Sequence, residues 1–422
     1  MKPRPRKLLA PSRSRPGPQP QPLPESQPPP DPRPQPSSFV EKTRLNQGGP
    51  WQTRKPLLGR LDIELTERCN NDCIHCCINL RMYDIPAQQR EMTTDEVKGV
   101  LTQAAALGCL SVRFTGGEPL LREDFEELYL YARRKGMKVM LFTNARLVTP
   151  QLADLFARIP PGELVEVTVY GMKPESYETV SRKPGSHAEF RRGVDLLLER
   201  GVPFVVKGAL LPPNRDEIDE FEAWAATIPG MDRPPGYSMF FDLRGRRDSE
   251  VKNRKIAGLR PSTEDGLAVL SRHRESYLNE MAQFCSKFMG PSADRLFTCG
   301  AGHGTCVDAY GRAQMCMMLR HPNTVYDIKK GSLRDALTSF FPRLREMRAT
   351  NADYLARCAR CFLKGLCEQC PAKSWAESGT LDTPVEYLCR VAHAQARDLG
   401  LLSAGERSWE VADWRTRIQR LT

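Results

Sequence analysis

Cys69-Asn-Asn-Asp-Cys73-Ile-His-Cys76 decides the fold, together with the run that leads into it, Leu61-Asp-Ile-Glu-Leu65. The run alternates apolar and polar residues, as a half-buried strand does. Three thiols then fall within eight residues on the loop that leaves this strand. Soft thiolates suit zinc and iron–sulfur groups. An iron–sulfur cube usually takes four cysteines. This loop supplies three, which leaves one iron open to another ligand. On this spacing alone a zinc loop stays open as the other reading. Cys77 follows directly and takes no role in either.

Outward from the loop the chain alternates strand and helix. Thr93-x-x-Glu96 reads as a capping box. Val97, Val100, Leu101, Ala104 and Leu107 then mark one helical face, and Gly108 ends it. Strands are expected at 111–115, 137–143, 164–169, 202–210 and 237–243. Helices are expected at 124–135, after Thr149-Pro150, from Ser186-x-x-Glu189 to Gly201, and after Asn214-x-x-Glu217. Repeated βα units of this length imply a parallel sheet with right-handed crossovers. In parallel barrels ligands sit at the C-terminal strand ends, where the cysteine loop lies. Residues 263–287 read as one helix. Arg244 to Arg247 reads as a solvated loop.

The second strand runs into Thr115-Gly116-Gly117-Glu118-Pro119, whose two glycines let a backbone approach a ligand closely. C-x3-C-x2-C followed one βα unit later by Gly-Gly-Glu resembles the radical S-adenosylmethionine (SAM) enzymes. The resemblance implies an α/β fold, a partial (β/α)6 TIM-type barrel. It implies a [4Fe–4S] cluster on Cys69, Cys73 and Cys76, with SAM chelated at the open iron. An electron from that cluster would split SAM into methionine and a 5′-deoxyadenosyl radical, which abstracts hydrogen from the substrate. By the same resemblance Gly116, Gly117 and Glu118 receive the SAM amino group. Thr168, Arg182 and Asn214 are carried over as further SAM contacts. Read as residues alone, these three are equally caps or surface groups.

A second cysteine field opens at Cys299. Cys299, Cys306 and Cys316 flank Asp308-Ala-Tyr-Gly311, a turn between two strand-like runs that suggests a hairpin. Cys358-x2-Cys361-x5-Cys367-x2-Cys370 and Cys389 follow; on spacing this too is a good zinc pattern. The layout resembles the SPASM domain, a small C-terminal iron–sulfur extension of many radical SAM enzymes. It departs from that pattern in having two residues, not three, before Cys370. The resemblance implies two auxiliary [4Fe–4S] clusters, one on Cys299, Cys306, Cys316 and Cys370, the other on Cys358, Cys361, Cys367 and Cys389. Cys109 and Cys285 read as buried structural cysteines.

Composition bounds the rest. At 422 residues, two or three domains are expected. With the resemblance, the chain is expected to divide into a proline-rich extension and lead-in at 1–57, a radical SAM core at 58–296, a SPASM domain at 297–395 and a tail at 396–422. Residues 1–36 carry 14 of the 35 prolines and cannot bury enough apolar surface to fold. That segment also holds seven Lys or Arg against two acids, so it supplies much of the +11 formal charge. Ligating cysteines are thiolates and lower the total further. A nucleic-acid partner is therefore not expected. No apolar run approaches the length of a membrane span. Fourteen cysteines without an export signal point to metal ligation in a reducing cytoplasm.

The expected activity is that of a radical SAM/SPASM oxidoreductase acting on a peptide or protein side chain. An electron donor such as flavodoxin or ferredoxin is an implied partner, as is a separate leader-binding protein. Synthesis of a small redox cofactor is the alternative. Sulfatase-type maturation ranks below it, because Met317 follows Cys316 where those enzymes carry Asp. A non-catalytic zinc or iron–sulfur scaffold on nucleic acid ranks last.

Overall fold

The structure, a computed structural model, describes residues 57–299 and 304–421. The proline-rich stretch 1–36 lies outside the described residues. Six strands run parallel and pair in sequence order: β1 Arg60–Thr66, β2 Ser111–Gly116, β3 Lys138–Thr143, β4 Gly162–Val169, β5 Phe204–Ala209 and β6 Tyr237–Ser238. Helices Thr94–Ala106, Phe125–Arg134, Pro150–Arg158, Ser186–Glu199 and Ile218–Ala225 connect them. This is the parallel sheet of a partial TIM-type barrel. Leu61, Ile63 and Leu65 are fully buried in one core with Val97, Leu101 and Leu128 of the first two helices. Asp62 and Glu64 alternate onto the opposite face of the sheet. There Asp62 pairs with Arg113 of β2 at 3.0 Å.

The hairpin forms as its turn residues predict. Asp308 accepts from the N–H groups of Tyr310 and Arg312, and Gly311 takes φ +83°. The location of its first strand was not legible in sequence. β7 (Gly304–Val307) adds in parallel to the free side of β1, with Cys306 opposite Asp62. β8 (Arg312–Gln314) and β9 (Tyr326–Asp327) continue the sheet to nine strands.

Buried charges fasten the hairpin region to β1. Arg320, 5% exposed, pairs with Glu64 and reaches Glu67 at 3.3 Å. The Tyr310 hydroxyl donates to Glu67 at 2.6 Å, and Arg246 pairs with the same carboxylate.

Several local expectations differ from the structure. The sixth strand covers only Tyr237–Ser238, after which the chain leaves the sheet. Residues 263–287 form two helices, Thr263–Leu270 and Arg274–Phe288; the Ser271 hydroxyl turns back on the Leu267 carbonyl where the first one ends. Ser186 does not cap its helix: Gly185 stands at the cap, and the Ser186 hydroxyl bonds Ser181 at 2.7 Å. Glu189 goes instead to Arg146.

Arg244 to Arg247 is no solvated loop. Arg244 is 2% exposed, Arg246 meets Glu67, and Arg247 donates to the carbonyls of Trp375 and Ala376. Each arginine meets a carboxylate or carbonyl that is distant in sequence.

Arg320→Ala leaves two fully buried carboxylates without their shared cation. Removing one partner of a buried pair costs about 3–5 kcal/mol. Denaturant unfolding of the variant, in apo form on both sides of the comparison, is expected to show a loss of this size. An unchanged midpoint would contradict the role given to this pair.

Candidate functional site

The cysteine loop leaves β1 and is held chiefly by backbone. The N–H groups of Asp72 and Ile74 donate to the carbonyls of Ser181 and Val180, at 2.9 and 3.0 Å. Arg146 donates to the Asn70 carbonyl at 2.7 Å and to the Asn71 side chain. Asn144 donates to Asn70 Oδ1 at 2.8 Å, and its amide lies 3.8 Å from the Cys69 sulfur. From the far side Arg244 reaches the carbonyls of Cys76 and Asn79, at 3.4 and 3.3 Å.

Cys69 and Cys73 are buried, and Cys76 is partly exposed. Burial pushes the Cys69 thiol well up, and the charges of Cys73 and Glu118 push it further. Burial and the neighbouring Cys76 do the same to Cys73, opposed by a hydrogen bond from Tyr170. His75 sits between Tyr170 and Phe241, with ring centroids 5.8 and 4.9 Å away. Burial pushes its pKa down to about 4, so it stays neutral. Its Nδ1 is buried without a partner.

The two glycines serve a closer purpose than ligand contact. A Cβ on Gly116 would lie 2.0 Å from the Thr66 carbonyl oxygen, and one on Gly117 2.2 Å from that of Arg68. Gly116 also takes φ +132°. The end of β2 therefore zips against the exit of β1. Gly117 N–H donates to Thr66 at 2.7 Å, and Glu118 N–H to Arg68 at 3.0 Å. Glu118 is thereby carried inward, fully buried. It accepts from the Thr143 hydroxyl and the Asn144 N–H, both at 2.8 Å, and from the Leu120 N–H at 3.1 Å.

The remaining candidates are spread. Thr168 is half-buried on β4. Arg182 caps its helix at φ +55° and faces Asp72 of the cysteine loop at 3.4 Å. Asn214 spends its side chain on its own loop: it donates to the Tyr170 and Ala209 carbonyls and accepts from Leu211 N–H. It also lines a small pocket between the ends of β4 and β5, with Gly171, Gly208 and Tyr237. Asn144, Arg146, Tyr170 and Arg244 were not found by sequence reasoning. Their common signal is position at a strand end, which is visible only once strands are paired.

In the C-terminal field, Cys358, Cys361, Cys367 and Cys389 line one cavity with Arg357, His393 and Trp409. The Ser408 hydroxyl lies 2.9 Å from the Cys361 sulfur, and Arg357 is 3.7 Å from that of Cys389. Beyond residue 395 the chain reaches this cavity through Trp409, while Trp414 stacks on Phe362 and Ile418 joins the same apolar cluster. Cys299, Cys316 and Cys370 form a second group, in which burial and then the charges of Cys370 and Cys299 raise the Cys316 thiol. Cys306 stands opposite Gln314 in the hairpin, two residues before Cys316. Cys306 lies inside β7, fully buried, among Glu64, Asp62, Asp308 and Arg320. Between the cysteine loop and the second group stands Asp242. Its charge bears on Cys77, and it pairs with Lys373 at 3.4 Å, three residues after Cys370. Cys109 and Cys285 are both buried.

Three thiols on one loop, with Cys69 and Cys73 pushed up by burial and by neighbouring charge, fit a soft cationic group bound between them. Among the described residues no three His, Cys, Asp or Glu side chains close tightly enough for a single metal ion. A cube spreads its irons over several corners and asks for thiols set further apart.

The family model of the radical SAM superfamily matches residues 63–225, and this stretch is the radical SAM domain of an enzyme. That family implies SAM and one [4Fe–4S] cluster. The chain is similar to the AdoMet-dependent heme synthase of Methanosarcina barkeri, 26% identical over 75% of this chain and 92% of that one. It is similar to the mycofactocin maturase MftC of Mycolicibacterium smegmatis, 31% identical over 39% of this chain but only 40% of the relative. The fold is that of Streptococcus suis SuiB bound to its precursor peptide SuiA, with TM-score 0.57, 17% identity and coverage of 79% and 76%. Among the described residues no helix is long and apolar enough to cross a membrane.

Burial raises the Glu118 carboxyl from its ordinary 4.5 to about 7, against the pull of its hydrogen bonds. Between those values the unfolded chain ionises while the folded one keeps its proton. The contribution of Glu118 to stability therefore falls as pH rises through this window, by on the order of 3 kcal/mol. Thermal unfolding of the apo chain from pH 4.5 to 7 is expected to fall more steeply for the unmodified protein than for Glu118→Gln. Parallel profiles would contradict this.

Proposed function

We propose that this enzyme is an oxidoreductase with a SPASM-type C-terminal region, acting on a peptide or protein side chain. Cys69, Cys73 and Cys76 would hold the cluster at which SAM is cleaved. Glu118, Thr168, Arg182 and the Asn214 pocket would surround SAM at the strand ends. That group supplies the radical chemistry when bound, and the protein supplies orientation and exclusion of water. The enclosed His75, Tyr170 and Phe241 keep the loop dry on one side.

The observation that carries the reading is the gathering of further cysteines into two groups beside the barrel, one of them reached from the catalytic loop through Asp242 and Lys373. A substrate that has lost a hydrogen atom must lose one more electron, and a proton, to become a closed-shell product. Thiolate-held iron–sulfur groups nearby can take that electron. Two auxiliary [4Fe–4S] clusters follow from this reading.

A peptide substrate is supported by relatives named for peptide chemistry, the mycofactocin maturase and a PqqA peptide cyclase. Extended peptides bind by adding a strand to an open edge. The nine-stranded sheet ends at β6 and β9. An electron donor of the flavodoxin or ferredoxin type and a separate leader-binding protein complete the proposal. A second reading is favoured by the heme synthase relative, which alone of those named above matches along nearly its whole length. On that reading the substrate is a small cofactor precursor.

Anaerobically loaded protein is expected to carry about 12 iron per chain. Incubated with reductant, SAM and a peptide encoded beside its gene, it should remove two hydrogens from the peptide, in step with 5′-deoxyadenosine. Mass spectrometry reads both. An unmodified peptide beside turnover of a small cofactor precursor would replace the first reading with the second. Zinc in place of iron would contradict both.

A further inference from the structure

We propose that Ser408 and Trp409 belong to the auxiliary site of Cys358, Cys361, Cys367 and Cys389, and that they make a cube held there easier to reduce. The inference rests on the cluster reading above and concerns the residues, other than the cysteines, that set its potential. By cysteine spacing both residues fall in the tail at 396–422. Their contacts argue otherwise.

Ser408 is 1% exposed, and its hydroxyl lies 2.9 Å from the Cys361 sulfur. A thiol and a hydroxyl can each donate to the other. A thiolate has no proton to give, so once Cys361 binds iron the hydroxyl is the donor. His393 fixes the serine. It stands one helical turn after Cys389 in helix Glu386–Asp398, and its Nδ1–H donates to the Cys389 carbonyl at 2.8 Å. That tautomer leaves Nε2 to accept from the Ser408 N–H at 3.5 Å.

Trp409 steadies a cation on the same site. Its ring meets His393 edge-on, with centroids 5.7 Å apart, and the Arg357 guanidinium lies over it at 5.1 Å. Arg357 is thereby held 3.7 Å from the Cys389 sulfur, while Glu386 takes one side of it at 2.7 Å. Its Nε is buried without a partner, although the residue lines the cavity. A donor left over beside four thiols suits an anionic occupant.

A cube that takes one electron gains one negative charge. Hydrogen bonds to its sulfurs and cations beside them favour that state and so raise its potential. The backbone contributes as well, through the Leu363 N–H on Cys361 and the Gln369 N–H on Cys367. The donors that reach Cys69 in the catalytic loop are neutral amides, the Asn71 N–H at 3.4 Å and the Asn144 side chain at 3.8 Å. A cluster that must reduce SAM needs a low potential, and one that accepts the substrate's electron needs a higher one. The substrate radical loses that electron, the C-terminal cube gains it, and Ser408 and Arg357 favour its staying there.

The test uses full-length chain with Cys69, Cys73 and Cys76 changed to Ala, so that only auxiliary iron titrates. Loaded anaerobically, this parent should hold about 8 iron per chain. Followed by electron paramagnetic resonance, its reduction should show one midpoint potential for each auxiliary cluster. Adding Ser408→Ala is expected to keep the iron and to lower one midpoint while leaving the other in place. Ser408→Thr, which keeps the hydroxyl, should restore it. Trp409→Leu, which releases Arg357, and Arg357→Gln should lower the same midpoint, and they carry the test should the alanine variant fail to fold. Midpoints unchanged in all three lowering variants, or loss of about 4 iron in Ser408→Ala, would overturn the proposal. A parent without iron would overturn the cluster reading itself.

Discussion

Three thiols on one short loop, two of them buried, repel each other as soon as they ionise, and the barrel mouth is built to hold them there. Burial and mutual charge push Cys69 and Cys73 upward, so an empty loop would keep its protons. A loop with such a conflict cannot be shaped by its own side chains. Its backbone is instead tied to Ser181 and Val180 on one side and to Arg146 and Arg244 on the others, and Asn144 holds the Asn70 side chain. The glycines of the β2 exit belong to the same arrangement. Without a Cβ they let one strand end close on the next, and this carries Glu118 beneath Cys69.

The same economy joins the C-terminal cysteines to the barrel. β7 extends the sheet at β1, the strand that bears the catalytic loop. Arg320 then locks the hairpin region to Glu64 and Glu67 from within. A shift of β1 would be felt at once by both cysteine fields. Rigid spacing of this kind suits electron transfer between fixed sites, and it places Asp242 and Lys373 between them.

How far the sequence could be read follows from the range of the interactions. β1 to β5, the Thr93 capping box and the turn at Gly311 depend on neighbours a few residues away, and local patterns revealed them. The cysteine loop and Gly-Gly-Glu were legible because spacing alone defines them. What stayed hidden depends on partners far along the chain. Arg244 to Arg247 looked solvated because Glu67 and Trp375 are distant in sequence. Ser186 looked like a cap because Ser181, which takes its hydroxyl, is not part of that motif. Cys306 has a spacing that suits a ligand, and only strand pairing reveals its carboxylate neighbours.

The central claim is that the loop after β1 is where SAM is cleaved. The most direct measurement is 5′-deoxyadenosine formed anaerobically by reduced protein with SAM, with and without Cys69, Cys73 and Cys76 changed together to Ala. Cleavage by the unmodified chain and none above background by the triple variant, with the C-terminal cysteines intact in both, is the predicted result. Cleavage surviving the triple change would move the chemistry to another part of the chain and contradict the account.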